Sequence, residues 1–512
     1  MENKKCISNI NELKSKYKTS NFIGENFVED SAMLINSSLE NCSIGENVEI
    51  SNSVLKDCYI SAGSKIGTYK NNNSTKKLFG TDGIRGVFGQ DFNEITAEKL
   101  AKALCFDKKV KIVVGRDTRE SGKVLFDAFS SAVVKFGGQV LDLGITTTPA
   151  VSYMTRHLKA DYGIVITASH NPIEFNGFKV LDGNGEKISV EEEGHIENLF
   201  NSDLGESEVK GKIRKVNAKP YEDYILNVDE NKFDDIKIVF DCANGATAQI
   251  APKIFEDLHS KVITTFSNGM INYKCGAVYP ETLARLVVQN KADIGFAFDG
   301  DGDRIIAINS KGQILDGDEI LYILAWYYNN LNQLQSKKVV GTLVTNLGIE
   351  NKLLGLGLEL VRVDVGDKFV KEKMKTENIE LGGEQSGHLM LSKYGKSADG
   401  ILIARLLTTI YIENKHIFHV VKDNKYMQAN KTIKILNEVP TNFFESSEFK
   451  TLINFFQAKL KGGRIVVRAS GTEPKIRIMV ECTDWVTANI FANEIRKKIL
   501  ILLKINKKID FL

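Results

Sequence analysis

The stretch GIVITASHNPIEFNGFK, Gly163 to Lys179, begins as an unbroken apolar run and ends it in Ser169, His170, Asn171 and Pro172. A run with no polar alternation reads as a strand covered on both faces, and hence as a layered α/β fold. Asn171-Pro172 reads as a helix start, a capping residue followed by proline in the first turn. On that reading Ser169 faces a helix N-terminus, whose unpaired N–H groups and positive potential suit a phosphate. Serine is a weak nucleophile without an adjacent base, and the next lysine or arginine comes only at Lys179. A serine that already carries phosphate needs no base, because it donates. His170 offers the alternative of a Ser–His pair, and an ordinary capping serine also accounts for the stretch read alone.

Working outward, short β-branched runs alternate with amphipathic segments from Leu100 to about Thr376: KIVVG before a helical region at 123–137, IKIVFDCANGA, ADIGFAFDGDGDR, KKVVGTLVTN and LELVRVDVGDKFVKEKM. So many strand–helix units exceed what one sheet accommodates. GGRIVVRAS and PKIRIMVECTD read as neighbouring strands, with a long helix from about Trp485. Residues 1–77 differ. Ile44, Ile50, Ile60 and Ile66 recur at or near multiples of six among Gly, Asn and Ser, the spacing of a left-handed β-helix. A polar, partly ordered extension is the plainer reading, and NNNSTKK after it has the composition of a linker.

The predicted fold is therefore α/β: three similar mixed α/β domains in series plus a C-terminal α+β domain, preceded by a short β-helix-like segment. The expected boundaries are 1–72 for the extension, then 73–225, 226–330, 331–430 and 431–512.

Composition narrows the function classes. Net charge is +2 and the lysines are scattered, so no basic field marks nucleic acid or an anionic membrane as partner. No signal-like segment opens the chain, and ILILLKI near its end is too short to span a bilayer. Seven cysteines without a CxxC pair argue against a disulfide framework or a zinc cluster and for a reducing cytoplasm.

Three further segments carry chemistry. FDGDGDR places Asp299, Asp301 and Asp303 two apart with glycines between, so an extended loop brings three carboxylates to one side, a donor set for Mg²⁺. An EF-hand fails, because Arg304 and Ser310 stand where it needs Gly and Glu. RASGTEPKIR joins Ser470, Gly471 and Thr472 to Arg468 and Arg477: hydroxyls, a close-approach glycine and forked guanidinium groups that could cradle a phosphate. GGEQSGH places Glu384, Ser386 and His388 where they could bracket sugar hydroxyls, although a polar turn explains it alone. There is no Walker A loop and no kinase glycine loop, so the phosphate would have to come from the enzyme itself.

In this order and spacing the segments resemble the α-D-phosphohexomutase family, from LFGTDGIRG at Leu78–Gly86 to the C-terminal region. Within it, FGTDGIRG, DCANGA, CGAVYPE, VGDKFV and GGEQSGH are most similar to the branch acting on glucosamine phosphate. The resemblance implies a phosphoserine at Ser169, with Asp299, Asp301, Asp303 and a phosphoserine oxygen around Mg²⁺. It implies acid/base candidates in Arg85 and Lys179, with His170, Arg304 and His388 lining the same cleft. Glu384 and Ser386 would contact sugar hydroxyls, and Arg468, Ser470, Gly471, Thr472 and Arg477 the distal phosphate. It further implies a hexose 1,6-bisphosphate as activator and intermediate, and a hexose or hexosamine phosphate as substrate. Ala469 stands where relatives usually have proline, and Lys368 where the glucosamine branch commonly has arginine. The alternatives are a phosphomannomutase/phosphoglucomutase with the same residues and a non-catalytic sugar-phosphate sensor. The N-terminal extension resembles the β-helical tail of sugar nucleotidyltransferases, and its expected role is self-association or partner docking.

Overall fold

In a computed structural model of the chain, residues 1–77 fall in one compact unit and residues 78–507 in another. The structure describes residues 78–505 apart from 81, 107–108, 202–209, 424, 436–441 and 471–474, and in the first unit the short elements between residues 6 and 67 with Ala32 and Val48. The linker expected at 71–77 lies outside the described residues.

Short strands of the first unit pair in parallel with the strand sixteen or seventeen residues on. Asn21–Ile23, Ser38–Glu40 and Val54–Lys56 form one sheet. Phe27–Glu29, Ser43–Ile44 and Tyr59–Ile60 run together in a second, and Met33–Ile35, Glu49–Ser51 and Lys65–Gly67 in a third. Ile44 pairs with Ile60 and Ile50 with Ile66, so the recurring aliphatics are cross-strand neighbours.

The second unit carries three α/β sheets in series and a C-terminal α+β sheet. The first has six strands in the order Ile84–Val87, Phe175–Asp182, Tyr162–Ile166, Lys111–Arg116, Gln139–Ile145 and Lys212–Lys215. Tyr162–Ile166 lies inside that sheet, which is why its residues read as a continuous apolar run. The second sheet is built on Lys237–Asp241 and Ile294–Phe298, and the third on Lys338–Thr342 and Leu381–Gly383. Caps fix the helix starts that face the sheets' ends. Thr147 accepts from Ala150 N at the head of Thr148–His157, and Asp316 forms a capping box with Glu319 at the head of Gly317–Asn330. An apolar core runs without a break from Val113 through Phe240 and Phe298 to Leu407 and Phe418, joining the three sheets.

The C-terminal sheet is antiparallel, in the order Met427–Lys434, Lys475–Cys482, Arg464–Ala469, with the helix Trp485–Ile505 following it. Its first strand carries no signal that the sequence reading singled out.

The three sheets are mixed, because Phe175–Asp182, Ile305–Asn309 and Leu389–Leu391 each return antiparallel to a neighbour. The helix expected at Asn171-Pro172 does not form. Residues 169–174 turn tightly and the chain comes back as Phe175–Asp182, beside Tyr162–Ile166. The buried Arg119 guanidinium donates to the carbonyls of Ser169, Asn171, Pro172 and Phe175. Carbonyls that a helix would need for its own bonds are thereby engaged by one side chain.

Candidate active site

Ser169 is held on this turn with φ of 51°, in the left-handed region that non-glycine residues seldom adopt. Its N–H donates to Thr167 Oγ1 (2.8 Å), and its carbonyl accepts from Arg119 and from Asn272 Nδ2 (2.7 Å). The hydroxyl, fully buried, donates to Asp299 Oδ2 at 2.6 Å and lies 3.3 Å from His170 Nδ1. Burial, then the Arg304 and Arg85 charges, push the His170 imidazolium down to about 3, so this ring is neutral near pH 7.

Asp299, Asp301 and Asp303 converge from the loop between Ile294–Phe298 and Ile305–Asn309, each offering an oxygen within 4.8 Å of the others. Both glycines of the loop are required. A Cβ on Gly300 would stand 2.7 Å from the Ser169 carbonyl oxygen, and Gly302 has φ of 74°. Thr148 opens its helix against this loop: its N–H donates to the Asp301 carbonyl (2.9 Å) and its hydroxyl to Asp301 Oδ2 (2.6 Å).

Four cations balance the carboxylates. Lys179 Nζ lies 2.8 Å from Asp301 Oδ2, 2.5 Å from Asp303 Oδ2 and 3.6 Å from Asp82 Oδ2. Arg85 pairs with Asp82. Burial opposes the Asp82 charge, yet Lys179 and Arg85 hold its carboxyl well below the usual range. His388 Nε2 is 2.9 Å from Asp303 Oδ1 and its Nδ1 is 3.3 Å from Glu384 Oε2. Against burial, Asp303 keeps His388 protonated well above its ordinary range. Arg304 N–H donates to Asp299 Oδ1 at 3.1 Å. Asp299 departs from this balance: burial, then Asp303 and Asp301, push its carboxyl up to about 8.

The cluster fits a divalent cation. Asp301 Oδ1 is buried without a hydrogen-bond partner, and the raised Asp299 carboxyl marks an excess of negative charge that a metal would offset. All the donors are oxygens, the set that Mg²⁺ takes.

Glu384 is buried and accepts from Gly366 N (2.9 Å), which orients its carboxylate in the VGDK loop. Ser386 is exposed on the same turn. In the C-terminal sheet Arg468 stands directly opposite Arg477. Burial, then Arg477, lower the Arg468 pKa, while Asp364 and Glu384 pull it the other way. Ser470 N–H closes the hairpin on the Lys475 carbonyl at 2.8 Å. Gly471 and Thr472 lie outside the described residues. Lys368 places its ammonium 4.8 Å from the Phe369 ring centre.

The sequence reading missed Asp82, Thr148, Arg119 and Thr167 as members of this site. Asp82 sat within a motif already noted, LFGTDGIRG, whereas the other three carry no local signal.

Comparison with known proteins accords with this architecture. Four family models match in chain order: phosphoglucomutase/phosphomannomutase alpha/beta/alpha domain I at residues 76–206, domain II at 219–312, domain III at 316–426 and the C-terminal domain at 421–498. The phosphoglucosamine mutase of Carboxydothermus hydrogenoformans is 39% identical over 428 residues, 80% of this chain and 96% of its own length. That of Clostridioides difficile is also 39% identical, over 79% of this chain and 95% of its own. The chain belongs to the phosphoglucomutase/phosphomannomutase family. Among solved structures, a Burkholderia thailandensis member of that family superposes with a TM-score of 0.68 at 23% identity, covering 84% of this chain and 98% of that one. Aspergillus fumigatus N-acetylphosphoglucosamine mutase, solved with GlcNAc-6P and magnesium, gives 0.59 at 16% identity over 82% and 95%. Among the described residues no helix is long and apolar enough to cross a membrane.

Proposed function

We propose that the chain is a phosphosugar mutase, an isomerase that interconverts glucosamine 6-phosphate and glucosamine 1-phosphate through a phosphoserine at Ser169. The observation that carries this reading is the buried Ser169 hydroxyl, 2.6 Å from Asp299 and enclosed by three aspartates, Lys179, Arg304 and neutral His170. The glucosamine preference rests on the relatives at 39% identity.

Ser169 donates its phosphoryl group to one hydroxyl of the bound sugar monophosphate, giving a hexose 1,6-bisphosphate. The bisphosphate turns over in the cleft and returns its other phosphate to Ser169. Asp299, Asp301 and Asp303 would hold Mg²⁺, which when bound supplies charge neutralisation at the transferred phosphoryl oxygens. Lys179 and Arg85 line the same space and are the acid/base candidates. His388, Arg304 and Glu384 close the cleft around the sugar, and Ser386 reads its hydroxyls. Arg468, Ser470, Gly471, Thr472 and Arg477 take the phosphate that is not reacting. The phosphoglucomutase/phosphomannomutase reading keeps every one of these roles and changes the sugar. Lys368, where arginine is common in the glucosamine branch, is the feature that favours it.

The domains are placed at 73–225, 226–330, 331–430 and 431–512; the family matches, at 76–206, 219–312, 316–426 and 421–498, support four units in this order. The short strands described between residues 21 and 67 belong to a β-helix-like segment that serves self-association or docking, a reading supported by parallel strand pairing at a repeat of sixteen or seventeen residues. Removal of 1–72 is expected to lower the oligomeric mass seen by light scattering or to cost a partner; the absence of both changes would rule that role out. The enzyme works in the cytoplasm, consistent with buried free cysteines at 105, 242, 275 and 482.

The deciding experiment compares turnover of glucosamine, mannose and glucose 6-phosphates with Mg²⁺ and the matching bisphosphate, beside Ser169→Ala. Preference for the amino sugar that vanishes in the variant is the expected outcome. Preference for mannose or glucose phosphate overturns the substrate alone. No turnover, with Ser169 phosphorylated, favours a sensor.

A further inference from the structure

The sugar loop and the C-terminal sheet are joined by a hydrogen-bonded chain of side chains. Gln385, between Glu384 and Ser386, donates from Nε2 to Gln428 Oε1 (3.0 Å) and to Asp316 Oδ2 (3.3 Å). Gln428, on the strand Met427–Lys434, donates in turn to the Val344 carbonyl and to Glu481 Oε1, both at 2.9 Å. Glu481 lies directly opposite Gln428 on the neighbouring strand and is fully buried. It also accepts from Leu347 N (2.9 Å) and from Arg464 Nε (2.5 Å). Arg464 reaches on to the Leu343 and Thr345 carbonyls. The sheet is thus fastened at one end to the loop after Lys338–Thr342.

On the hairpin of Arg464–Ala469 and Lys475–Cys482, Arg464 stands opposite Glu481, and Arg468 opposite Arg477. Four residues of strand separate the pairs, roughly 13 Å. One end of the hairpin is anchored, and the other carries the cations assigned to the non-reacting phosphate. A sugar bisphosphate has a nearly fixed length, so the separation between the sugar loop and the Arg468–Arg477 end decides how well both ends bind together. Gln385 belongs to the first element and bonds directly to the second.

We infer that Gln385 and Gln428 are positioning residues that set the separation of the sugar loop from the phosphate-binding hairpin, acting on substrate retention rather than on phosphoryl transfer. The inference rests on the mutase reading given above. The two glutamines also line an open cavity of about 560 Å³ with Asn346, Lys425 and Trp485. Trp485, one of two tryptophans in the chain, is half-exposed there and gives an optical signal from the junction.

The test is a double-mutant cycle with Gln385→Met and Gln428→Met, which keep size and lose the bond, run on whichever hexose phosphate the full-length enzyme turns over best. Each single variant is expected to raise KM by about 5- to 10-fold while kcat stays within about twofold, and the double variant to do no more than the worse single one. Unchanged KM, losses that multiply in the double variant, or a fall in kcat at constant KM would each overturn the inference. A purely structural role would lower melting temperature and active fraction without that KM-only pattern.

A second readout separates this inference from the mutase assignment. In a Trp326→Phe background, Trp485 emission is titrated with glucose 1,6-bisphosphate, with and without Gln428→Met. A midpoint shifted by the same factor as KM supports the positioning role. An unshifted midpoint overturns it, even where no hexose phosphate is turned over. Turnover of mannose phosphate alone would sink the glucosamine reading and leave this cycle intact.

Discussion

Ser169 Oγ and Asp299 Oδ2 meet at 2.6 Å although 130 residues separate them, and Ser169 adopts φ of 51° to do so. Such a backbone costs about 1–3 kcal/mol and persists where its surroundings over-determine it. Here Thr167, Arg119 and Asn272 all fasten the same residue. Incubation with a hexose 1,6-bisphosphate should add one phosphoryl group to the protein, seen by intact mass and mapped to Ser169. Ser169→Ala should lose both the added mass and turnover. A variant that still gains phosphate would remove Ser169 from the mechanism.

Arg119 makes a separable prediction. Arg119→Lys keeps a cation but not the fork that spans four carbonyls, so the turn should relax. The expected result is about a 10- to 100-fold loss in kcat, as for other outer-shell partners, with Mg²⁺ affinity changed less. Isothermal titration with Mg²⁺ beside steady-state kinetics distinguishes the two effects. An unchanged kcat would show that the turn holds without the fork.

The metal prediction turns on Asp301, whose Oδ1 is buried without a partner while Thr148 occupies Oδ2. Chelation of divalent ions should abolish turnover and Mg²⁺ should restore it. Asp301→Asn should weaken Mg²⁺ binding by at least about 10-fold. The same change removes one of three mutually repelling carboxylates, so the metal-free protein should melt at a higher temperature. Full activity after exhaustive chelation would contradict the assignment.

What the sequence made legible was local. Asp299, Asp301 and Asp303 lie within five residues, so one loop carries all three, although it closes as a turn, with Gly302 N–H on the Asp299 carbonyl (3.2 Å), rather than running extended as expected. The apolar run before Ser169 fixed an interior strand, since burial on both faces leaves no alternation. Thr148 was invisible because its partner Asp301 is 153 residues away, and a threonine heading a helix looks like any cap. Arg119 carries no motif that would single it out. Only the fold shows it buried, and its grip on the turn is also why the helix expected at Asn171 failed to form. The strand Met427–Lys434 escaped notice because its residues alternate weakly, and pairing with Lys475–Cys482 decides its state.

Asp82 supports two of the cations assigned to the reaction, pairing with Arg85 and lying 3.6 Å from Lys179 Nζ. Without its charge, Lys179 would be held only by Asp301 and Asp303, and Arg85 would lose its orienting partner. Asp82→Asn should therefore cut kcat by about 100-fold, the order seen when one preorganised electrostatic partner is lost. KM should move much less. Equal losses in kcat for Asp82→Asn and Asp82→Glu would point to shape rather than charge.

Asp399 provides a pH test at a carboxyl outside the three-aspartate cluster, although the next residue, Gly400, donates its N–H to the Gly302 carbonyl of that loop (3.0 Å). Its carboxylate caps the helix Gly400–Asn414 through Leu402 N (3.0 Å) and accepts from Tyr221 Oη (3.0 Å). Burial nevertheless pushes its pKa up to about 6, against about 3.9 for an unfolded aspartate. Between those values the folded chain binds the proton more tightly, so this residue's contribution to stability falls as pH rises through the window. Two units correspond to about 3 kcal/mol lost above pH 6, an upper figure for one group. Asp399→Asn keeps a capping oxygen and an acceptor for Tyr221 but carries no charge to bury. The variant should thus match the wild type near pH 4 and exceed it in melting temperature at pH 7–8, the gap opening between pH 4 and 6. A gap that instead widens toward acid would mean that the Asp399 carboxylate is stabilised, rather than penalised, by its surroundings.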